Sequence, residues 1–488
     1  MSIFPQSRLL IDGELCAAQG GATYADISPW TGEEIGRAAD AAPGDLDRAI
    51  GAARRAFDET NWSTDHAGRI AVLERFAQVL KANRDRLALL ARHESGAASA
   101  EIYVAACDAP LGMLDYVLKT AREYAWDRDL GVAEMLGSRS GRRIWKEPVG
   151  VVAAITPWNV PTQINLAKSF PALAAGCTVV LKPAPDTPML AALLGELAVE
   201  AGLPKGVLNV ITSSTTAEIG EALVNDSRID MISFTGSTAV GKRIMANAAD
   251  RLARVFLELG GKSANIILDD ADFAATIPRC AGAMFHAGQG CATNTRILVP
   301  RTRYEEAAGL LKATLEAVEY GDFDAPRQIM GPLISERQRQ RVLSYIEIGK
   351  AEGARLATGG GVPTHLNEKG FFVEPTLFVD VTNQMRIARE EIFGPVLVMI
   401  PYEDDADAVR IANDSPYGLS GSVTSGSLDR ALGIARRIRS GTFAVNGGSY
   451  YAGDAPFGGY KQSGIGREMG LEGFEEYLET KTVGVPPG

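Results

Sequence analysis

Cys291, in the run GQGCATN, stands beside Gly290 and Ala292, small neighbours that leave its sulfur approachable. A thiolate there would be an effective nucleophile wherever its surroundings favour ionisation; the alternative is a buried, inert cysteine. Glu258, in LELGGKSAN, closes an apolar run that reads as a buried strand. A carboxylate in such a place is costly without a partner or a task, so it is either a catalytic base or the acceptor of a structural hydrogen bond. A third stretch, SFTGSTAVGKR at 233–243, spaces Gly236, Gly241 and Lys242 as a triphosphate-binding loop does, yet Arg243 replaces the Ser or Thr that would bind Mg²⁺. A triphosphate site, another kind of nucleotide site and a tight turn without ligand are all compatible with these residues.

The composition narrows the chemistry. Cys16, Cys107, Cys177, Cys280 and Cys291 have no C-x-x-C spacing, so neither a disulfide framework nor a metal site follows. Only four histidines are present, His66, His93, His286 and His365. A net charge of -11 argues against non-specific nucleic-acid binding, which relies on clustered Lys and Arg. No apolar run approaches the roughly 20 residues of a membrane span, and the first residues lack the pattern of a secretion signal, so the expected location is cytoplasmic.

A chain of 488 residues calls for two or three domains to position these groups. Residues 45–59 and 70–96 read as amphipathic helices, with Asp45 as a cap and Gly96 as a stop. From about 149, short apolar runs (149–155, 178–182, 207–211, 231–234, 255–259) alternate with helix-length segments, which implies right-handed crossovers and a parallel sheet. A second such alternation begins at SANIIL and continues through NTRILVP and PVLVMI. Residues 140–150 and 479–485 look like extended segments outside both, able to pair with each other or with a partner chain. Residues 231–249 fit a strand, turn and helix in which Gly236 lets the turn approach a pyrophosphate and Ser237 caps the helix.

Seven motifs in order, ITPWN (155–159), KPA (182–184), FTGSTAVGK, LELGGKSAN, GQGC, EEIFGPV (390–396) and PFGGYKQSGIGRE (456–468), resemble the aldehyde dehydrogenase superfamily. The resemblance implies an α/β fold: a Rossmann-like NAD(P)-binding domain (1–125 and 149–258), a second α/β catalytic domain (259–455) and a small β oligomerisation arm (126–148 and 470–488). Residue by residue, it implies that Cys291 is the nucleophile, forming a thiohemiacetal and then a thioester after hydride transfer. Asn159 matches the amide that holds the oxyanion with the Cys291 backbone N–H. Glu258 matches the base that activates water for hydrolysis, and Lys168 a lysine near the active site, for which a surface or helix-cap role is an alternative. Ile155, Thr156, Trp158, Lys182, Gly236, Ser237, Leu259, Glu391 and Phe393 match cofactor contacts. NAD or NADP, an aldehyde and a second copy of the chain, as homodimer or homotetramer, are the implied partners. A non-catalytic relative and a phosphate-loop NTPase are the competing readings.

Two departures from the family pattern bear on specificity. Pro185 stands where many NAD-preferring relatives carry a glutamate, so NAD is favoured with NADP use open. The implied aldehyde pocket comprises Val160, Ile164, Ala167, Gly290, Ala292, Tyr451 and Phe457, with small residues at 160 and 167 and no cation. That predicts an apolar aromatic or medium-to-long aliphatic aldehyde.

Overall fold

Every residue of Val151–Ile155 is buried, as a strand covered by helices on both faces must be. The computed structural model describes residues 3–366 and 370–486. Five parallel strands lie in the order Leu208–Val210, Thr178–Lys182, Val151–Ile155, Met231–Thr235, Arg254–Glu258. The first of them along the chain is central and the chain winds outward in both directions from it. The crevice where the winding reverses therefore lies at the carboxyl ends of Ile155 and Thr235. Leu9–Ile11 and Glu14–Cys16 extend one edge of this sheet, and Gly464–Ile465 pairs antiparallel with Leu257 and Glu258 at the other.

A second sheet orders Arg355–Thr358, Thr376–Val379, Val396–Tyr402, Arg296–Pro300, Ala264–Ile267, Gly421–Thr424 and Ala444–Val445, parallel except at its first edge. The two extended segments pair with each other: Leu478–Val485 runs antiparallel to Ser138–Pro148, whose other side carries Asp127–Met135. Helix Gly470–Glu475, inside the C-terminal stretch assigned to the arm, packs instead with the first domain's helices, its Phe474 against Tyr124 at 5.3 Å between ring centroids.

Local starts and stops differ from the sequence reading at three places. The first helix begins at Pro43, whose fixed φ suits an initial turn, so Asp45 lies inside it. Asp45 reaches back to accept from Ala42 N at 3.0 Å and Gln19 N at 2.8 Å, because Ala42 has no side-chain oxygen of its own. The second apolar stripe is two helices, His66–Ala82 and Arg84–Ser95, broken at Asn83 and ended by Gly96 at φ 76°. The stretch before Cys291 is a short helix, Phe273–Thr276, followed by a tighter run, Ile277–Gly288, that turns left-handed at His286 and Ala287, both at φ 52°. His286 N donates to Ile329 O rather than continuing the helix, which swings Gln289–Cys291 toward the first domain.

Candidate active site

The turn that follows Met231–Thr235 is a helix N-terminus with a purpose-built cap. Ser237 accepts from Val240 N at 3.4 Å, and Gly236 N donates to Glu258 O at 3.0 Å, tying the turn to the neighbouring strand. A Cβ on Gly241 would collide with Leu259, so this glycine lets the helix approach the sheet. Lys242 donates to Gln462 Oε1 at 3.0 Å and Arg243 pairs with Glu221, so the apparent phosphate-loop lysine is committed elsewhere.

A cavity of about 400 Å³ opens at this turn. Trp158, Gly236, Ser237, Leu259, Glu391 and Phe393 line it, with Trp158 and Phe393 edge-to-face at 5.4 Å. Glu391 Oε1 accepts from Gly261 N at 2.9 Å, and burial pushes its carboxyl up to about 6. A dipole-positive helix end beside a cavity that carries both aromatic rings and charged side chains fits a dinucleotide's pyrophosphate and rings. Ile155, Thr156, Lys182 and Pro185 lie outside this lining: Thr156 Oγ1 donates to Asn165 Oδ1 at 2.6 Å, and Lys182 is buried at the end of its strand with its amine lowered to about 8.

A second cavity, of about 690 Å³, approaches from the other side. Asn159, Thr235, Glu258 and Cys291 line both. Thr235 and Glu258 are register partners on adjacent strands, Asn159 follows Val151–Ile155, and Cys291 precedes Arg296–Pro300 of the second sheet. The Asn159 amide donates to Gln289 O at 2.8 Å, which fixes it beside the cysteine's own loop. Gly261 allows the approach, since a Cβ there would sit 2.6 Å from Cys291 O.

The electrostatics of this meeting point are strongly perturbed. Burial raises the Glu258 carboxyl well above the ordinary range and Glu468 adds to it, while Lys168 and Arg467 partly oppose. Neither Glu258 carboxylate oxygen makes a hydrogen bond of good geometry. Burial, then Glu258 and Glu391, push the Cys291 thiol up. Lys168 is neither a surface nor a capping residue: fully buried, its Nζ lies 3.3 Å from Glu468 Oε1, 3.4 Å from Ser233 Oγ and 4.3 Å from the centre of the Phe256 ring.

Of the seven implied pocket residues, Val160, Ile164, Gly290, Ala292, Tyr451 and Phe457 line the larger cavity, whereas Ala167 faces a separate apolar one of about 40 Å³. Tyr451 and Phe457 meet edge-to-face at 6.2 Å. Sequence reasoning missed Thr235, Gln163, Arg279 and Glu468 in the larger cavity, and Arg337 and Arg341 in the smaller. Thr235 and Glu468 sit within or next to quoted motifs and were accessible in principle; the three arginines carry no local signal. Arg279, solvent-exposed, supplies a cation where none was expected.

A dinucleotide-type parallel sheet whose switch point opens onto a thiol and a buried carboxylate is the architecture of a dinucleotide-dependent oxidoreductase. The model of the aldehyde dehydrogenase family matches residues 16–483, and the chain belongs to that family. Its fold superposes on a Mycobacterium tuberculosis aldehyde dehydrogenase solved with NAD⁺ at TM-score 0.95 and 43% identity, covering 100% of this chain and 99% of that one. Among curated relatives, a Pseudomonas 3-succinoylsemialdehyde-pyridine dehydrogenase is 41% identical over 97% of both chains. Geranial dehydrogenase of Castellaniella defragrans is 43% identical over 90% of both. The protein is an aldehyde dehydrogenase that uses a nicotinamide cofactor.

Proposed function

We propose that this enzyme oxidises an aldehyde to the free carboxylic acid, with NAD as its preferred acceptor. The observation that carries the reading is that Asn159, Thr235, Glu258 and Cys291 are shared by two cavities, one built for a dinucleotide and one for a second molecule. Cys291 Sγ attacks the aldehyde carbon as a thiolate, its proton passing to solvent through the open cavity; burial and the neighbouring carboxylates hold the thiol up and so oppose that loss. The Asn159 amide and the Cys291 backbone N–H hold the developing oxyanion. A bound nicotinamide supplies the hydride acceptor; Ser237 and Gly236 would hold its pyrophosphate, Glu391 its ribose, and Trp158 and Phe393 its ring. Loss of hydride from the thiohemiacetal carbon leaves a thioester on Cys291; Glu258 then takes a proton from water as that water attacks it, and the Cys291 thiolate departs as the carboxylic acid forms. The raised Glu258 carboxyl makes that residue a stronger base than an ordinary glutamate, suited to taking that proton and returning it.

The cavity walls at Val160, Ile164, Tyr451 and Phe457 favour an aromatic or medium-to-long aliphatic aldehyde, and Lys182 and Pro185 remain assigned to the adenosine end. Asp127–Met135 leaves an open strand edge with Leu130 and Val132 exposed, which favours assembly into a dimer or tetramer through the arm. Five free cysteines among the described residues suit a reducing, cytoplasmic setting. The test is NADH formation across an aldehyde panel. Hydrophobic aldehydes should exceed succinic semialdehyde in kcat/KM; the reverse ranking rejects the pocket assignment, and no NADH with any aldehyde rejects the reaction.

A further inference from the structure

Helix Pro161–Ala175 separates the 690 Å³ cavity at Cys291 from the apolar 40 Å³ cavity beside Ala167, and Gln163 lines both. Gln163, Ile164 and Ala167 lie three and four positions apart and so share one helix face, and Val160 caps the helix at its start. Three of the four are apolar, which makes the amide conspicuous. Gln163 is only 5% exposed, and its Oε1 is buried without a hydrogen-bond partner. Its Nε2 reaches only Met113 Sδ, at 3.8 Å, a weak acceptor. Buried amides are normally satisfied, and this oxygen finds no partner among the protein's own groups.

We propose that Gln163 determines specificity for aldehydes that carry a hydroxyl at the end remote from the carbonyl, in particular hydroxylated aromatic aldehydes. A hydroxyl both donates and accepts, so it satisfies the amide in either orientation of its oxygen and nitrogen. The ring belongs to the same argument: Tyr451 and Phe457 present an edge-to-face pair to that cavity. The inference rests on the assignment of the Cys291 cavity as the aldehyde site.

The experiment compares kcat/KM, with NAD⁺, for 3- and 4-hydroxybenzaldehyde against 3- and 4-methylbenzaldehyde, in the wild type, Gln163→Leu and Gln163→Met. The wild type should prefer hydroxyl over methyl by about tenfold or more at one ring position, since a site built to bond a hydroxyl strongly rejects the analogue lacking it. In both variants the hydroxyl-to-methyl ratio should fall to about one, through KM. An unchanged ratio in an active variant overturns the inference. So does a wild-type ratio at or below one at both positions, which needs no variant and stands even if both replacements misfold. A wild type that oxidises no aldehyde of either kind overturns the underlying function as well, and is thereby distinguished from loss of the hydroxyl preference alone.

Discussion

Lys168 Nζ and Glu468 Oε1 lie 3.3 Å apart with side chains 0% and 9% exposed, forming an ion pair behind the carboxylate of Glu258. Burial raises the Glu258 carboxyl most, Glu468 adds to that and Lys168 opposes it, so the pair adjusts the proton affinity of the candidate base. Deleting one partner leaves the other charge buried and unpaired. Lys168→Met should therefore cost about 3 kcal/mol of unfolding free energy, read by denaturant titration; a loss under about 1 kcal/mol would argue that the pair is solvated.

The same relationship gives a pH prediction with a definite sign. Glu258 works as a base only when deprotonated, so turnover limited by hydrolysis should rise with pH through its raised carboxyl value, above the 4.5 of an ordinary glutamate. Removing the like charge in Glu468→Gln should move that limb to lower pH, and Lys168→Met should move it higher. Profiles of kcat for the three proteins check this; shifts in the opposite directions would remove Glu258 from the limiting step.

Replacing the base itself separates the two half-reactions. Glu258→Gln should release about one equivalent of NADH per active site in a rapid burst and then stall, because the thioester forms but water is not activated. Cys291→Ala should show neither burst nor turnover. Steady turnover by Glu258→Gln at the wild-type rate would contradict the proposed role.

Asn159 is held by its bond to Gln289 O, which leaves one amide hydrogen for the oxyanion. Asn159→Ala should lower kcat about 10²–10³-fold with little change in KM, the signature of a contact made mainly in the transition state. A loss confined to KM would make Asn159 a binding residue only.

Position 185 is the proposed determinant of cofactor choice. Without a carboxylate there, nothing at that residue repels a 2′-phosphate or accepts from a 2′-hydroxyl. Pro185→Glu should raise the NAD-to-NADP ratio of kcat/KM about tenfold or more, measured with one aldehyde. An unchanged ratio would place the adenosine ribose elsewhere, consistent with Pro185 lying outside the cavity lining.

Strands were the most legible part of the sequence. Thr178–Lys182 and its neighbours lie within a residue or two of their apolar runs, because a strand buried on both faces must be continuously apolar. Helix starts were less so: Asp45 carries a capping side chain, but Pro43 two residues earlier decided where the first turn began. The left-handed turn at His286 and Ala287 left no mark at all, since it is imposed by the bond from His286 N to a distant carbonyl.

The residue types and order of the motifs alone determined the family and singled out the proposed nucleophile and base, because a reactive thiol and a buried carboxylate need characteristic small and glycine neighbours that are local in the chain. Only the tertiary structure decided what surrounds them. Glu468 comes to Glu258 from 210 positions away through the edge strand Gly464–Ile465, Ala167 turns aside into its own cavity, and Gln163 is left with an unpaired amide oxygen between the two. Burial and pairing arise from packing between distant segments, and it is packing that moves a carboxyl group's proton affinity or leaves a polar atom waiting for a ligand.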